Sequence, residues 1–356
     1  MTDKIHESVQ EYYGLTLAST ADLQTNACCT LQKMPKHIAA ALKNVADEVQ
    51  DKYYGCGLCI PQKLAGVRLL DLGSGSGRDA YIAAQLVGES GCVVGVDMTV
   101  EQIAVANKYI EPQREKFGYA KSNVEFLLGN IEDLGALSLA DDSFELIISN
   151  CVLNLAVDKL AVLKQAFRLL KTGGEFYFSD VYADRRIPQN LQDNPLLWGE
   201  CLSGALYCND FLKLARLAGF ADPRAVESKP ISVGNAELQA LLGETQFFSV
   251  TYRLFKIAEL ETDCEDFGQA VRYKGTVAEA PHALVLDAHH HFTKGKIMPV
   301  CGNTYRMLAD TRFRDDFDFF GDFSTHFGIF AGCGGAMPFK NNAEPNNSDS
   351  SNSSCC

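Results

Sequence analysis

The chain has 356 residues, a formal net charge of -13 and an ordinary apolar content of 47%, so a globular protein of two units plus tails is expected. The acidic balance excludes a phosphate-backbone partner, because no basic block is present to release counterions. No apolar run approaches the ~18 residues of a membrane span. The opening MTDKIHESVQEYYG lacks the basic and apolar regions of a signal peptide. A cytoplasmic monomer with no nucleic-acid or membrane partner is therefore expected. Against that background thirteen cysteines are an anomaly. A reducing compartment does not favour a disulfide framework, so some of the thiols are expected to bind a soft ligand or do redox chemistry.

Residues 1–60 read as an N-terminal arm with thiol loops. It carries Cys28-Cys29 and a helix from about 35 to 51 with apolar Ile38, Leu42, Val45 and Val49. The segment Tyr53-Tyr54-Gly55-Cys56-Gly57-Leu58-Cys59-Ile60-Pro61 follows. Glycines and proline around two cysteines make a loop, placed to act as a lid.

Residues 61–182 alternate strand and helix. Strands are expected near 67–72, 93–97, 124–128, 145–149 and 175–180, and helices near 79–87, 100–117 and 158–170. This is a Rossmann-like α/β parallel sheet. Between the first strand and helix lies Asp71-Leu72-Gly73-Ser74-Gly75-Ser76-Gly77-Arg78, a turn that lets backbone pass close to a nucleotide-like ligand. Asp97 ends the second strand, placed to take two ribose hydroxyls. The spacing is G-x-G-x-G, and an acid precedes the first glycine. That form favours S-adenosylmethionine (SAM), which has cationic groups and no pyrophosphate, over a nicotinamide cofactor. Gly129 to Glu132, after the third strand, is where an adenine ring would lie. Leu170 to Glu175 reads as a helix stop with a left-handed glycine. Because ligands sit beyond the carboxyl ends of such strands, Cys151 is expected on the cofactor side.

Residues 183–257 read as a helical segment carrying Cys201, then two strands, 224–233 and 247–257, that close the sheet as an antiparallel pair. Cys208 follows Cys201 at a spacing that would put both on one helix face. Residues 258–337 form a small α+β domain, and 338–356 an Asn/Ser-rich disordered tail. Cys264, Cys301 and Cys333 are expected to pack as small hydrophobes. His289-His290-His291 is expected in a strand, solvated or packed. Cys56-x-x-Cys59 lacks the second pair that a zinc ribbon needs.

Several thiolates beside a methyl donor suit a thiophilic acceptor. Trivalent arsenic takes three thiolates and keeps a lone pair that can attack a sulfonium methyl without a general base. The chain resembles the arsenite methyltransferases of the eukaryotic algal and animal type. The likeness runs through LQTNACC (23–29), YYGCGLCIP (53–61), LDLGSGSGRD (70–79), GVDMT (95–99), SNCVLNL (149–155), GGEFYFSDVYADRR (173–186) and LWGECLSGALY (197–207). It implies catalytic cysteines at Cys28, Cys56, Cys151 and Cys201. Cys151 and Cys201 would hold arsenic throughout, Cys56 would be the third arsenic ligand, and Cys28 would pair with Cys56 in disulfide cycling. It implies SAM contacts at Asp71, Gly73, Ser74, Gly75, Arg78, Asp97, Met98, Gln102, Ile131, Glu132 and Asn150. Arsenic as a thiol conjugate and a thiol reductant such as glutathione or thioredoxin are the implied co-substrates. The additional Cys29 and Cys59 leave open which cysteines form the redox pair.

Overall fold

A computed structural model describes residues 2–17, 34–55, 58–233, 235–333 and 335. Cys28, Cys29, Cys56, Cys355 and Cys356 lie outside the described residues. The chain divides into two compact units, Met1–Lys256 and Ile257–Cys356.

The first unit opens with α1 (Thr2–Glu11) and a π-turn (Tyr12–Thr16), then α2 (Lys36–Leu42) and α3 (Asp47–Asp51). The alternating region follows as β1 (Arg68–Leu72), α4 (Arg78–Val87), β2 (Cys92–Asp97), α5 (Val100–Lys108), α6 (Ile110–Phe117), β3 (Val124–Leu128), β4 (Phe144–Asn150), α7 (Lys159–Leu169) and β5 (Leu170–Ala183). The unit closes with α8 (Gln189–Gln192), α9 (Pro195–Gly199), β6 (Leu206–Tyr207), α10 (Cys208–Ala218), β7 (Arg224–Ile231), α11 (Ala236–Leu242) and β8 (Phe247–Phe255). The strands form one sheet in the order β3-β2-β1-β4-β5-β8-β7, with β6 beside β5. The first five strands are parallel, and β8 and β7 close the sheet antiparallel. This is the Rossmann-like arrangement the alternation implied.

Successive side chains of a strand face opposite sides, and both faces here are covered. Leu70 and Leu72 pack with Val162, Leu163 and Phe211 on one side. Leu69 packs with Ile82 and Ala83 on the other. Strands buried on both faces read as near-continuous apolar runs, which is why β1, β2 and β4 stand out in the sequence.

Several boundaries differ from expectation. The helix expected over 100–117 is two helices meeting at Tyr109, since Pro112 cannot donate to the preceding turn and fits only the first turn of a new helix. The helix over 35–51 is likewise two, with Ala46 extended between them. No left-handed glycine stops α7. Leu170 caps it in an extended conformation and already belongs to β5. Residues 171–174 then bulge out, so Phe144 pairs with Leu170 but Leu146 with Glu175, and Gly173 adopts φ +77° within that bulge. The helix α1 was not anticipated.

The second unit holds β10 (Ala270–Tyr273) between β13 (Ile297–Pro299) and β14 (Phe317–Phe320). The hairpin β11 (Ala283–Val285) to β12 (His291–Thr293), the pair β9 (Glu265–Asp266) with β15 (Gly328–Ile329), and α12 (Gly302–Ala309) complete it. Val271, Tyr273, Phe292, Met307, Leu308, Phe313 and Phe317 are buried in this unit.

Candidate active site

The turn after β1 forms the floor of a cleft lined by Asp71, Gly73, Gly75, Asp97, Ile131 and Asn150 among others. Gly73 has φ +72°, and a Cβ there would stand 2.3 Å from Val152 Cγ2. Gly75 has φ +52°, and its missing side chain leaves the floor open, the nearest neighbour being Gln102 Oε1 at 3.9 Å. Glycine is therefore required at the first for packing and backbone, and at the second it keeps the ligand's path clear.

Asp97, at the end of β2, is fixed by the loop around it. Its Oδ2 accepts from Gly75 N at 2.9 Å and its Oδ1 from Thr99 N at 2.8 Å. Asp71 is buried, and its Oδ2 has no hydrogen-bond partner. Burial, then the neighbouring Asp79 and Asp97, raise the Asp71 carboxyl well above its ordinary range, with Arg78 opposing. Ser74 Oγ and Gln102 Oε1 are also buried without partners. An orphaned buried polar atom costs about 1–3 kcal/mol, so the floor is incomplete without a ligand that donates hydrogen bonds or carries positive charge. A SAM-like molecule, with its ammonium, sulfonium and ribose hydroxyls, fits that demand.

Asp71, Gly73, Ser74, Gly75, Arg78, Asp97, Met98, Gln102, Ile131, Glu132 and Asn150 all line this cleft. Arg78 and Glu132 among them are held by neighbouring side chains. The Arg78 guanidinium pairs with Asp79 at 2.7 Å and lies 3.0 Å from the centroid of the Tyr53 ring. Glu132 accepts from Val157 N and Asp158 N and faces His6 Nε2 at 2.7 Å. Burial works against ionised Glu132, but His6 and the two backbone N–H groups hold it below the ordinary range.

Other lining residues were not singled out from the sequence. His6, Val9 and Tyr13 come from α1 and the turn after it. Gln10 Nε2 donates to Met98 O, and Gln102 Nε2 to Tyr13 O. Tyr13 also donates to Gly199 O at 2.7 Å and Tyr12 to Glu200 Oε1 at 2.6 Å, so this segment ties the cleft to the α9 region. Asn150 Nδ2 donates to Asp79 Oδ2 and to the Tyr53 hydroxyl. The apolar i, i+4 pair Ile5 and Val9 was the available signal for α1.

Cys151 follows the end of β4 and lines the cleft. Cys201 follows α9, and its thiol donates to Cys151 O at 3.4 Å. Both cysteines are buried. Both also have left-handed backbones, φ +61° and +59°; among the described residues only Lys63, Ser138 and Asp142 join them as non-glycine residues with positive φ. A non-glycine residue held there costs of order 1–2 kcal/mol, and such strain concentrates at functional sites.

Beneath them lie two buried ionisable groups. Burial, then the charge at Cys201, push the Asp180 carboxyl up to about 8. Burial lowers the Lys159 ammonium to about 8, and Asp180 opposes that. Lys159 donates to Asn154 O and Ala156 O, and Asp180 accepts from Asn154 N and Nδ2.

The remaining cysteines separate by position. Cys59 is fully buried in the first unit, and Cys92 lies in β2. Cys208 starts α10 and does not share a helix face with Cys201, because β6 intervenes. His290 is buried against Asp287 in the bend ahead of β12, and only His291 enters the strand. No helix of the described residues is long and apolar enough to cross a membrane.

A methyltransferase-domain family model matches residues 63–219, and an arsenite methyltransferase C-terminal domain model matches residues 268–356. The arsenite methyltransferase of Aquipseudomonas alcaligenes is 57% identical, over 95% of this chain and 97% of its own length. That of Mus musculus is 46% identical over 89% of this chain and 84% of its own, and that of Homo sapiens 45% identical over 88% and 83%. The crystal structure of an arsenic(III) S-adenosylmethionine methyltransferase from Chlamydomonas reinhardtii matches with a TM-score of 0.81 at 50% identity, covering 83% of this chain and 99% of that one. With the parallel sheet, its glycine-floored acidic cleft and the cysteines at its edge, these likenesses place the chain in the arsenite methyltransferase family.

Proposed function

We propose that the protein methylates trivalent arsenic, taking arsenite to methyl- and dimethylarsenicals and so detoxifying it. The observation that carries this reading is the meeting of Cys151 and Cys201, both buried and backbone-strained, at the edge of the cleft that holds Asp71 and Asp97.

When bound, S-adenosylmethionine supplies a methyl group on a sulfonium, an electrophile that a soft lone pair attacks in line. Asp97 would hold the ribose hydroxyls, Asp71 and Gly73 the methionine end, and Met98 and Ile131 the adenine. Cys151 and Cys201 would hold arsenic through the reaction, with Cys56 as third thiolate, so the ligands would come from the end of β4, the 183–257 segment and the N-terminal arm. Three thiolates leave arsenic one lone pair, and positioning that pair is the protein's main contribution. No proton leaves arsenic, so no general base is required.

Attack raises arsenic to the pentavalent state, and two electrons must return. A Cys28–Cys56 pair supplies them by closing a disulfide, which glutathione or thioredoxin then reopens. Arsenic delivered as a thiol conjugate would reach the site by thiol exchange.

The test is an incubation of purified protein with SAM, glutathione and arsenite, followed by chromatographic separation of arsenic species with element-specific detection. Methylated arsenic is the expected product. Arsenite left unchanged by a protein that binds both SAM and arsenite in the presence of reductant would overturn the reading.

A further inference from the structure

Three cysteines of the second unit, expected to pack as small hydrophobes, come together at one point. The sulfur atoms of Cys264, Cys301 and Cys333 all lie within 4.8 Å of one another. Each is presented by a different element. Cys264 immediately precedes β9, and its carbonyl accepts from Phe330 N at 2.9 Å, just beyond β15. That pairing brings the turn carrying Cys333 back over β9. Cys301 is the N-cap of α12, where its sulfur accepts from Thr304 N at 3.5 Å and lies 3.3 Å from Thr304 Oγ1. A helix N-terminus favours negative charge, so it favours a thiolate there.

The Cys301 sulfur is also held from behind. Thr304 Oγ1 lies 3.3 Å from His290 Nε2, and His290 Nδ1 lies 2.8 Å from Asp287 Oδ1. Asp287, His290, Thr304 and Cys301 are all buried. A buried polar chain that ends on a sulfur orients that sulfur, as outer-shell partners of metal ligands do. Cys264 and Cys333 are only partly buried, which leaves a way in from solvent.

We propose that Cys264, Cys301 and Cys333 form a second soft-ion site, one that binds trivalent arsenic as a tris-thiolate. Arsenite binds without change of oxidation state. Three As–O bonds break and three As–S bonds form, and the three thiol protons leave with the three hydroxyls as water. The choice of ion follows from the donor set. Structural zinc takes four ligands at about 2.0–2.3 Å, whereas among the described residues this group contains three donors, all sulfur. Trivalent arsenic uses three thiolates and fills the remaining direction with its lone pair. The site is thus a place to hold arsenic, with no role in methyl transfer, and it stands on the geometry of the second unit alone.

The experiment is thiol footprinting of the full-length reduced chain by maleimide labelling and peptide mass spectrometry, with and without arsenite as the probe. Cys264 and Cys333, the two partly exposed thiols, are expected to become protected together, at a single arsenite concentration. In parallel, Cys301→Ser should bind one arsenic fewer per chain by elemental analysis while protection of Cys151 and Cys201 is unchanged. If that variant does not fold, the footprint of the unaltered chain decides alone. Absence of joint protection would overturn the proposal. So would a Cys264–Cys333 disulfide in the reduced chain, or one equivalent of zinc that co-purifies and is released when the three cysteines are alkylated. Joint protection in a protein that makes no methylarsenic would sustain this site and overturn only the proposed reaction.

Discussion

The two groups of cysteines are built in opposite ways. Cys151 and Cys201 sit on left-handed backbone, buried, with the ionisable Asp180 and Lys159 beneath them. Cys301 sits on relaxed backbone, φ -68°, as the cap of a regular helix, and Cys264 extends from a strand pair. Strain is tolerated where surrounding packing over-determines a geometry, and it aims a group at a reacting partner. A site that only holds an ion gains nothing from strain, since three thiolates already converge from a helix cap, the end of a strand pair and a turn. The contrast separates a place for transfer from a place for retention.

The largest expected effect tests the transfer side. Cys151→Ser or Cys201→Ser should lower methylation of both arsenite and methylarsenite by more than about 100-fold, because the soft ligand that fixes the lone pair is gone. Removing Cys28 or Cys56 should spare the methylarsenite step more, since that substrate already carries one carbon and needs two thiolates. Product chromatography on the two substrates reads the difference. Equal loss in all four variants would remove the division of roles.

Next comes a pH effect from Asp180. Its folded pKa is raised to about 8, well above the ~3.9 of an unfolded aspartate. Between those values the folded chain keeps a proton that the unfolded chain has released. Stability from this group is therefore full at low pH and lost as pH rises toward 8, by up to ~1.4 kcal/mol per pH unit. Asp180→Asn keeps an acceptor for Asn154 and should remove that slope, as thermal denaturation at a series of pH values would show. An unchanged slope would mean Asp180 is ionised beneath Cys201.

Backbone strain gives a smaller effect. At Cys201, with φ +59°, glycine should be more stabilising than alanine by about 1–2 kcal/mol. At Cys92, inside β2, the order should reverse by roughly 0.5–1 kcal/mol. Denaturant titration of the four variants measures both differences. Alanine more stable than glycine at both positions would show that Cys201 carries no strain, and the contrast between the two thiol groups would lose its basis.

What the sequence disclosed follows the range of each interaction. The cofactor floor is local: the glycine spacing, Asp71 and Asp97 belong to one strand-turn-helix-strand unit, so residue order alone conveys their geometry. The fold class was legible for the same reason, since strands covered on both faces make continuous apolar runs. The helix break at Tyr109 was encoded in Pro112, whereas the bulge at 171–174 depends on pairing with β4 and β8, which residue order does not show. The contribution of α1 was quiet because the helix carries few apolar residues, with the i, i+4 pair Ile5 and Val9 marking its inward face. Gathering Cys264, Cys301 and Cys333 needs a strand pair, a helix cap and a turn, and no spacing rule connects them. The burial of Asp180 and Lys159 near one another likewise arises only once β5 and α7 pack.

The smallest effect probes α1 itself. His6 bonds to Glu132, whose other contacts hold the loop entering α7, and Gln10 bonds to Met98 O. Both contacts join α1 to the side of the cleft where Met98 and Ile131 lie. The His6–Glu132 pair is partly exposed, so its loss should cost no more than ~1 kcal/mol. His6→Ala should then weaken SAM binding by up to about fivefold, since 1.4 kcal/mol is a factor of ten, while turnover at saturating SAM stays near that of the unaltered protein. Calorimetric titration with SAM, alongside steady-state rates, separates the two. A fall in turnover with SAM affinity intact would move α1 from the cofactor to the thiols. It would then act through Tyr12 and Tyr13, which reach Glu200 and Gly199 beside Cys201.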